Sequence, residues 1–186
     1  MKKKFSQFLA LGFLTAISLT FSNGQTKPPK TVRDYFKLIP SEYFSISCCE
    51  ENKDEFIKKY VAVEDNQNGF MEGADTEEDP KYQGFVLKIL PPQNGKTVLG
   101  LYSHSINWQD YYFLEYKNGK LWNISKTIPS YSLDNIYEFP RSGSIIKVYK
   151  KKYDSPTKEI NAENSVERGK YLYSLIWQNG KFTVRK

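Results

Sequence analysis

Tyr116-Lys117-Asn118-Gly119-Lys120-Leu121-Trp122 and Trp177-Gln178-Asn179-Gly180-Lys181-Phe182-Thr183 share one pattern: Asn-Gly-Lys between aromatic and aliphatic flanks. A third copy of the turn, Asn94-Gly95-Lys96, leads into Thr97-Val98-Leu99. Asn-Gly supplies the two positive-φ residues of a type I′ hairpin turn. A loop of two residues fixes the register. Tyr116 should therefore pair with Leu121, and Trp177 with Phe182. Outward from these turns the period is two, and the residues are β-branched and aromatic. Residues 85–90, 98–102, 111–116, 121–124, 145–149, 171–177 and 182–184 read as strands. Residues 153–169 are polar and read as a long loop. The three turns share chemistry without an even spacing, so they predict no repeat architecture.

Before residue 68 the period is helical. Thr31 caps a helix with Asp34 three residues on, and Val32, Tyr35, Phe36 and Ile39 share one face. Pro40 interrupts that helix and suits the first turn of a short second one ending near Phe44. Asn52 caps a further helix, with Glu55 as its capping-box partner and Phe56, Ile57, Tyr60 and Val61 on one side. Helices followed by a run of strands predict an α+β fold. The expected form is two N-terminal helices packed on a curved, mostly antiparallel meander sheet of six to eight strands.

The start of the chain predicts export. Lys2, Lys3 and Lys4 precede an apolar run, and Ser22 and Gly24 place small residues before a cut at Gln25. The expected division is a signal peptide over 1–24, a linker over 25–30 and one domain over 31–186. The expected location is secreted or periplasmic. The apolar run is shorter than the roughly 20 residues a spanning helix needs, so no stable membrane anchor is expected after cleavage. The net charge of +6 includes the three leader lysines, and nothing in the motifs points to nucleic acid. Between Glu50 and Asp79 eleven acids stand against three lysines, so the rest of the chain is markedly basic. Such a division reads as solvated loops or as a bipolar surface that steers a charged partner.

The two cysteines, Cys48 and Cys49, are neighbours. Adjacent Cα atoms lie about 3.8 Å apart, below the roughly 4.4–6.8 Å of ordinary disulfides. Free thiols and a strained vicinal disulfide both remain open. Glu50 and Glu51 oppose a catalytic thiolate, and one dithiol without further ligands does not complete a zinc site. His104 is the chain's one histidine and reads as a strand-end residue. No G-x-S-x-G, phosphate loop or H-E-x-x-H occurs. The residues therefore predict a non-enzymatic binding module for a protein, peptide or glycan, an inhibitor among the options, with no cofactor. The alternative is a structural or stress-related envelope protein without a ligand. A third reading is calcium. Residues 64–75 align with a twelve-residue calcium loop, with oxygens at Glu64, Asn66, Asn68, Glu72 and Asp75 and Gly69 at its sixth position. Among fourteen tyrosines and three tryptophans, Trp108, Trp122 and Tyr131 are the candidates for an aromatic surface.

Val32-Arg33-Asp34-Tyr35-Phe36, Leu38-Ile39-Pro40 and Tyr43-Phe44, followed by Asn68-Gly69-Phe70, carry a resemblance. The series resembles a group of small secreted bacterial proteins of unknown function, with a D-[YF]-F-x-L-L-P-x-x-Y-F helix and an N-G-[YF]-L turn. It covers roughly residues 31–116. The resemblance implies secretion and an α+β build, and it carries over no catalytic or binding residue. Glu72-Gly73-Ala74-Asp75 and the acidic stretch stand where that group often has a Gly/Asp-rich turn.

Overall fold

The computed structural model describes residues 28–44, 52–74, 84–105, 108–154 and 166–186. The expected leader, residues 25–27 of the linker, Cys48, Cys49 and Asp75 lie outside them. None of the helices among the described residues is long and apolar enough to cross a membrane.

Helix α1 is Val32–Leu38. The Thr31 hydroxyl accepts from the Asp34 N–H at 3.1 Å, and the Asp34 carboxylate accepts from the Thr31 N–H at 3.0 Å. This reciprocal box satisfies main-chain donors that the first turn leaves unpaired. Pro40 ends the helix and leads a single 3₁₀ turn, Ser41–Tyr43. Helix α2 is Lys53–Tyr60, and the Asn52 side chain accepts from the N–H groups of Asp54 and Glu55.

The strands are mostly antiparallel neighbours in chain order. Val61–Asp65 (β1), Phe70–Ala74 (β2), Gly84–Ile89 (β3), Thr97–Ser105 (β4), Trp108–Lys117 (β5) and Lys120–Asn123 (β6) form one six-stranded sheet, ordered β1-β2-β3-β4-β5-β6. Asn135–Glu138 (β7), Ile145–Tyr153 (β8), Val166–Gln178 (β9) and Lys181–Arg185 (β10) form a second sheet, ordered β10-β9-β8-β7. The antiparallel meander is as expected. Its division into two sheets differs from the single sheet of six to eight strands, and the described residues hold ten strands. Val61, expected on the α2 face, opens β1.

The turn registers are as drawn from the sequence. Tyr116 pairs with Leu121 and Trp177 with Phe182. Asn94, Asn118 and Asn179 have φ of 50°, 53° and 54°, and the following glycines 72°, 78° and 69°.

The central strands bury both faces, which explains near-continuous apolar runs such as Phe85-Val86-Leu87 and Val98-Leu99-Gly100-Leu101. One face carries Phe85, Leu87, Leu99, Leu101 and Leu114, in one core cluster with Val32, Phe36, Ile39, Phe56 and Ile57 of the helical segment. The Phe36 ring lies 5.1 Å from Phe85 and 5.5 Å from Phe56. Each such fully buried side chain contributes about 1.5–3 kcal/mol. The other face carries Val98, Tyr111 and Phe113, clustered with Tyr137, Phe139, Ile146, Val148, Leu175 and Trp177 of the second sheet.

Polar ties cross between the sheets. The Trp177 indole N–H donates to the Pro91 carbonyl at 2.9 Å. The Asn94 side chain donates to the Asn179 carbonyl at 2.9 Å, and the Asn179 N–H donates to the Gln93 side chain at 2.6 Å. Two of the three Asn-Gly turns are thus clasped together. Two buried lysines add further ties. Lys88 donates to the Asn68 and Arg141 carbonyls, and Lys151 to the Gln109 carbonyl. Burial lowers the pKa of both ammonium groups, against the opposing pull of nearby carboxylates.

Candidate functional site

Where β7 crosses the six-stranded sheet, the two sheets leave a cleft of about 280 Å³. Alternation along β3, β4 and β5 brings Val86, Tyr102, Gln109 and Tyr111 to its floor. Ile136, Tyr137, Glu138 and Phe139 supply the wall, and Arg168 of β9 stands at the rim. The Tyr102 and Tyr111 rings stack at 4.7 Å and 21°, and Tyr102 stacks on His104 at 5.1 Å and 18°. Burial raises the pKa of both tyrosines and lowers that of His104, so all three rings are neutral at neutral pH.

Polar groups in the cleft are held in place. The Arg168 guanidinium donates to Glu138 Oε1 at 2.9 Å and lies 5.0 Å from the Tyr149 ring centroid. The Tyr149 hydroxyl donates to Glu138 Oε2 at 3.1 Å. Gln109 Nε2 donates to the Tyr102 hydroxyl at 3.0 Å. Gln109 Oε1 is buried and accepts no hydrogen bond from a described residue. Turning the amide over would move the deficit to the nitrogen, so one polar atom of Gln109 stays unsatisfied in either orientation.

A larger recess of about 420 Å³ lies beside α1, lined by Pro28, Pro29, Lys30, Asp34, Lys37 and Tyr116 among others. Two of its ionic groups have protein partners: Asp34 accepts from two main-chain N–H groups, and Lys37 pairs with Asp54 at 2.5 Å. A recess of about 310 Å³ at the clasped turns includes Trp177, whose N–H is already committed to Pro91. Of the three, the β7 cleft is the one lined by Gln109, the residue with the orphaned oxygen.

The residues singled out from the sequence do not converge there. Trp108 is half-buried, with its ring 6.3 Å from Tyr112. Trp122 is exposed on the edge strand β6. Tyr131 is half-buried against the second core, stacked on Tyr137 at 5.5 Å and donating to the Tyr111 carbonyl at 2.8 Å. In the calcium reading, Glu64 accepts from Arg33 at 2.5 Å, and Asn66 Oδ1 accepts from the Val32 N–H at 3.1 Å. The Asn68 side chain donates to Asp65, which also accepts from Arg141 at 3.0 Å. The segment is a tight β1–β2 hairpin in which Val63 pairs with Glu72. No group of three or more His, Cys, Asp or Glu suited to a metal occurs among the described residues. The cleft residues come from β3, β4, β5, β7, β9 and the segment after β7. No local motif joins them, and only the packing of the sheets assembles them.

No family model matches the chain, and no curated protein or solved structure matches it either.

Proposed function

We propose that the protein is an exported, non-enzymatic binding module whose site is the β7 cleft, with a glycan unit as ligand. Helices braced on one face of the central sheet and a second sheet on the other would make a rigid three-layer support for that cleft. The observation that carries the reading is the buried Gln109 amide with an unmet hydrogen bond. Leaving such a group unpaired costs about 1–3 kcal/mol, a cost that a ligand hydroxyl would remove once the side chain turns to meet it. Around it stand aromatic walls for the apolar face of a sugar, and an Arg168–Glu138 pair that offers donors and acceptors without a net charge. That mixture suits a neutral, hydroxyl-rich ligand. The cleft sits just below the roughly 300–1,000 Å³ of whole-ligand pockets, so it suits one unit of a longer chain. The leader pattern at residues 1–24 supports an encounter in the periplasm or outside the cell.

A glycan array, followed by calorimetric titration of the strongest hit, tests the proposal. Gln109→Leu should weaken that binding at least about tenfold, the equivalent of 1.4 kcal/mol, while the fold is retained by circular dichroism. An array without a hit, or a hit that Gln109→Leu leaves unchanged, contradicts it. The first outcome favours an envelope protein without a ligand.

A further inference from the structure

We infer that the outward face of the four-stranded sheet docks on an anionic lipid bilayer. The inference does not rest on the cleft's ligand, although Tyr149 of this face also holds the cleft's Glu138. Ile146, Val148, Leu175, Trp177 and Phe182 point into the core, so their strand neighbours point away from it. The register sets those neighbours in rows. Ile145, Ile176 and Thr183 form one row. Lys147, Ser174 and Arg185 form the next. Tyr149 and Tyr171 form a third, with ring centroids 5.7 Å apart. A cationic row thus lies between an aliphatic row and an aromatic one. Ile145 and Tyr171 are 41% and 43% exposed. The Lys147 and Arg185 side chains are exposed and make no hydrogen bond or ion pair with a described residue. Glu138, opposite Lys147, is occupied by Arg168 and Tyr149.

The charge around this face is mostly positive. Strands β7 to β10 carry eight Lys and Arg against two Glu, whereas β1 to β6 carry three Lys against five acids. The complement of the second sheet is therefore anionic. Any polyanion would satisfy Lys147 and Arg185. A soluble polyanion, however, leaves Ile145 and Tyr171 in water. A bilayer interface takes all three rows together: headgroup charge for the cations and the headgroup–acyl boundary for the aliphatic and aromatic side chains. Tyrosine is a residue that favours that boundary.

Vesicle co-sedimentation tests this, using the full chain as isolated from the cells that make it. Phosphatidylglycerol-rich vesicles are compared with pure phosphatidylcholine. The protein should partition onto the former and be released by salt. Lys147→Gln/Arg185→Gln should weaken partitioning by about tenfold or more, at roughly fivefold per cation. Ile145→Ser/Tyr171→Ser should weaken it as well, with both variants melting like the parent. All these chains share the same N-terminal segment, so differences between them read the sheet face alone. Absence of partitioning, or partitioning unchanged in either double variant, overturns the inference. So does binding to heparin as tight as to vesicles and insensitive to Ile145→Ser/Tyr171→Ser, which would assign the face to a soluble polyanion.

Discussion

Single side chains set the local terms of this structure, and two of them carry opposite lessons. Asp65 is a satisfied carboxylate. Hydrogen bonds from Asn68, then the Arg141 guanidinium, hold its pKa down to about 2. An ordinary Asp titrates near 3.9, so the unfolded chain takes up this proton first as pH falls. Its stabilising contribution is complete above about pH 4 and is lost as pH falls towards about 2. Urea midpoints of Asp65→Asn should accordingly fall less than those of the parent across that window; parallel curves would contradict the assignment. Gln109 is the reverse case, a cleft-floor amide whose buried Oε1 is unsatisfied. Gln109→Leu removes that deficit but also the bond to the Tyr102 hydroxyl, so the unliganded protein should stay within about 1 kcal/mol of the parent while ligand binding weakens. A destabilised Gln109→Leu would mean the amide serves the fold. The turn glycines make a graded pair. At Gly119 a Cβ meets nothing within 4 Å, whereas at Gly180 it comes within 3.2 Å of the Gln93 carbonyl. Both have positive φ, where a non-glycine residue costs about 1–2 kcal/mol. Thermal melts should show Gly180→Ala more damaging than Gly119→Ala, and equal losses would argue against the clasp.

At the level of elements, legibility in the sequence followed the range of the forces involved. The capping of α1 by Thr31 and Asp34, the stop at Pro40 and the three Asn-Gly turns depend on a few neighbouring residues, and each was readable. Strand β7 was not. Asn135-Ile136-Tyr137-Glu138 is too short to show its period, and its place is set by β8 and by the Tyr111 and Phe113 rings beneath it. Strands β1 and β2 were hidden for a similar reason: Val61 continues the apolar face of α2 without a break, and the pairing that makes it a strand is with Gly73. The split into two sheets was hidden as well, because a strand buried on both faces reads alike whether its cover is a helix or another sheet. Gly100 marks the split in the structure. It lies in mid-strand beneath Phe139, where a Cβ would sit 2.2 Å from a ring carbon. Gly100→Ala should cost about 1–3 kcal/mol or more by overpacking. Gly100→Ala/Phe139→Leu should recover part of that loss, beyond the sum of the single effects. Strict additivity in denaturant titrations would show that the two side chains do not meet.

Over the whole molecule, the charge division seen in the sequence acquires a direction: acids towards β1 and β2, cations across β7 to β10. The proposed cleft lies between the sheets that carry these opposite balances, and it needs both of them. Tyr102, Gln109 and Tyr111 come from one, and Ile136, Glu138 and Arg168 from the other or its edge. Its candidate residues were invisible in sequence because they are spread over six segments and share no spacing. One ligand should contact both sheets at this place. Amide chemical-shift mapping, with the strongest glycan from the array as probe, tests it most directly. Perturbations should cluster at Tyr102, Gln109, Tyr111, Ile136, Glu138 and Arg168. Perturbations confined to one sheet, to the Trp122 edge or to the Lys147–Arg185 face would contradict it.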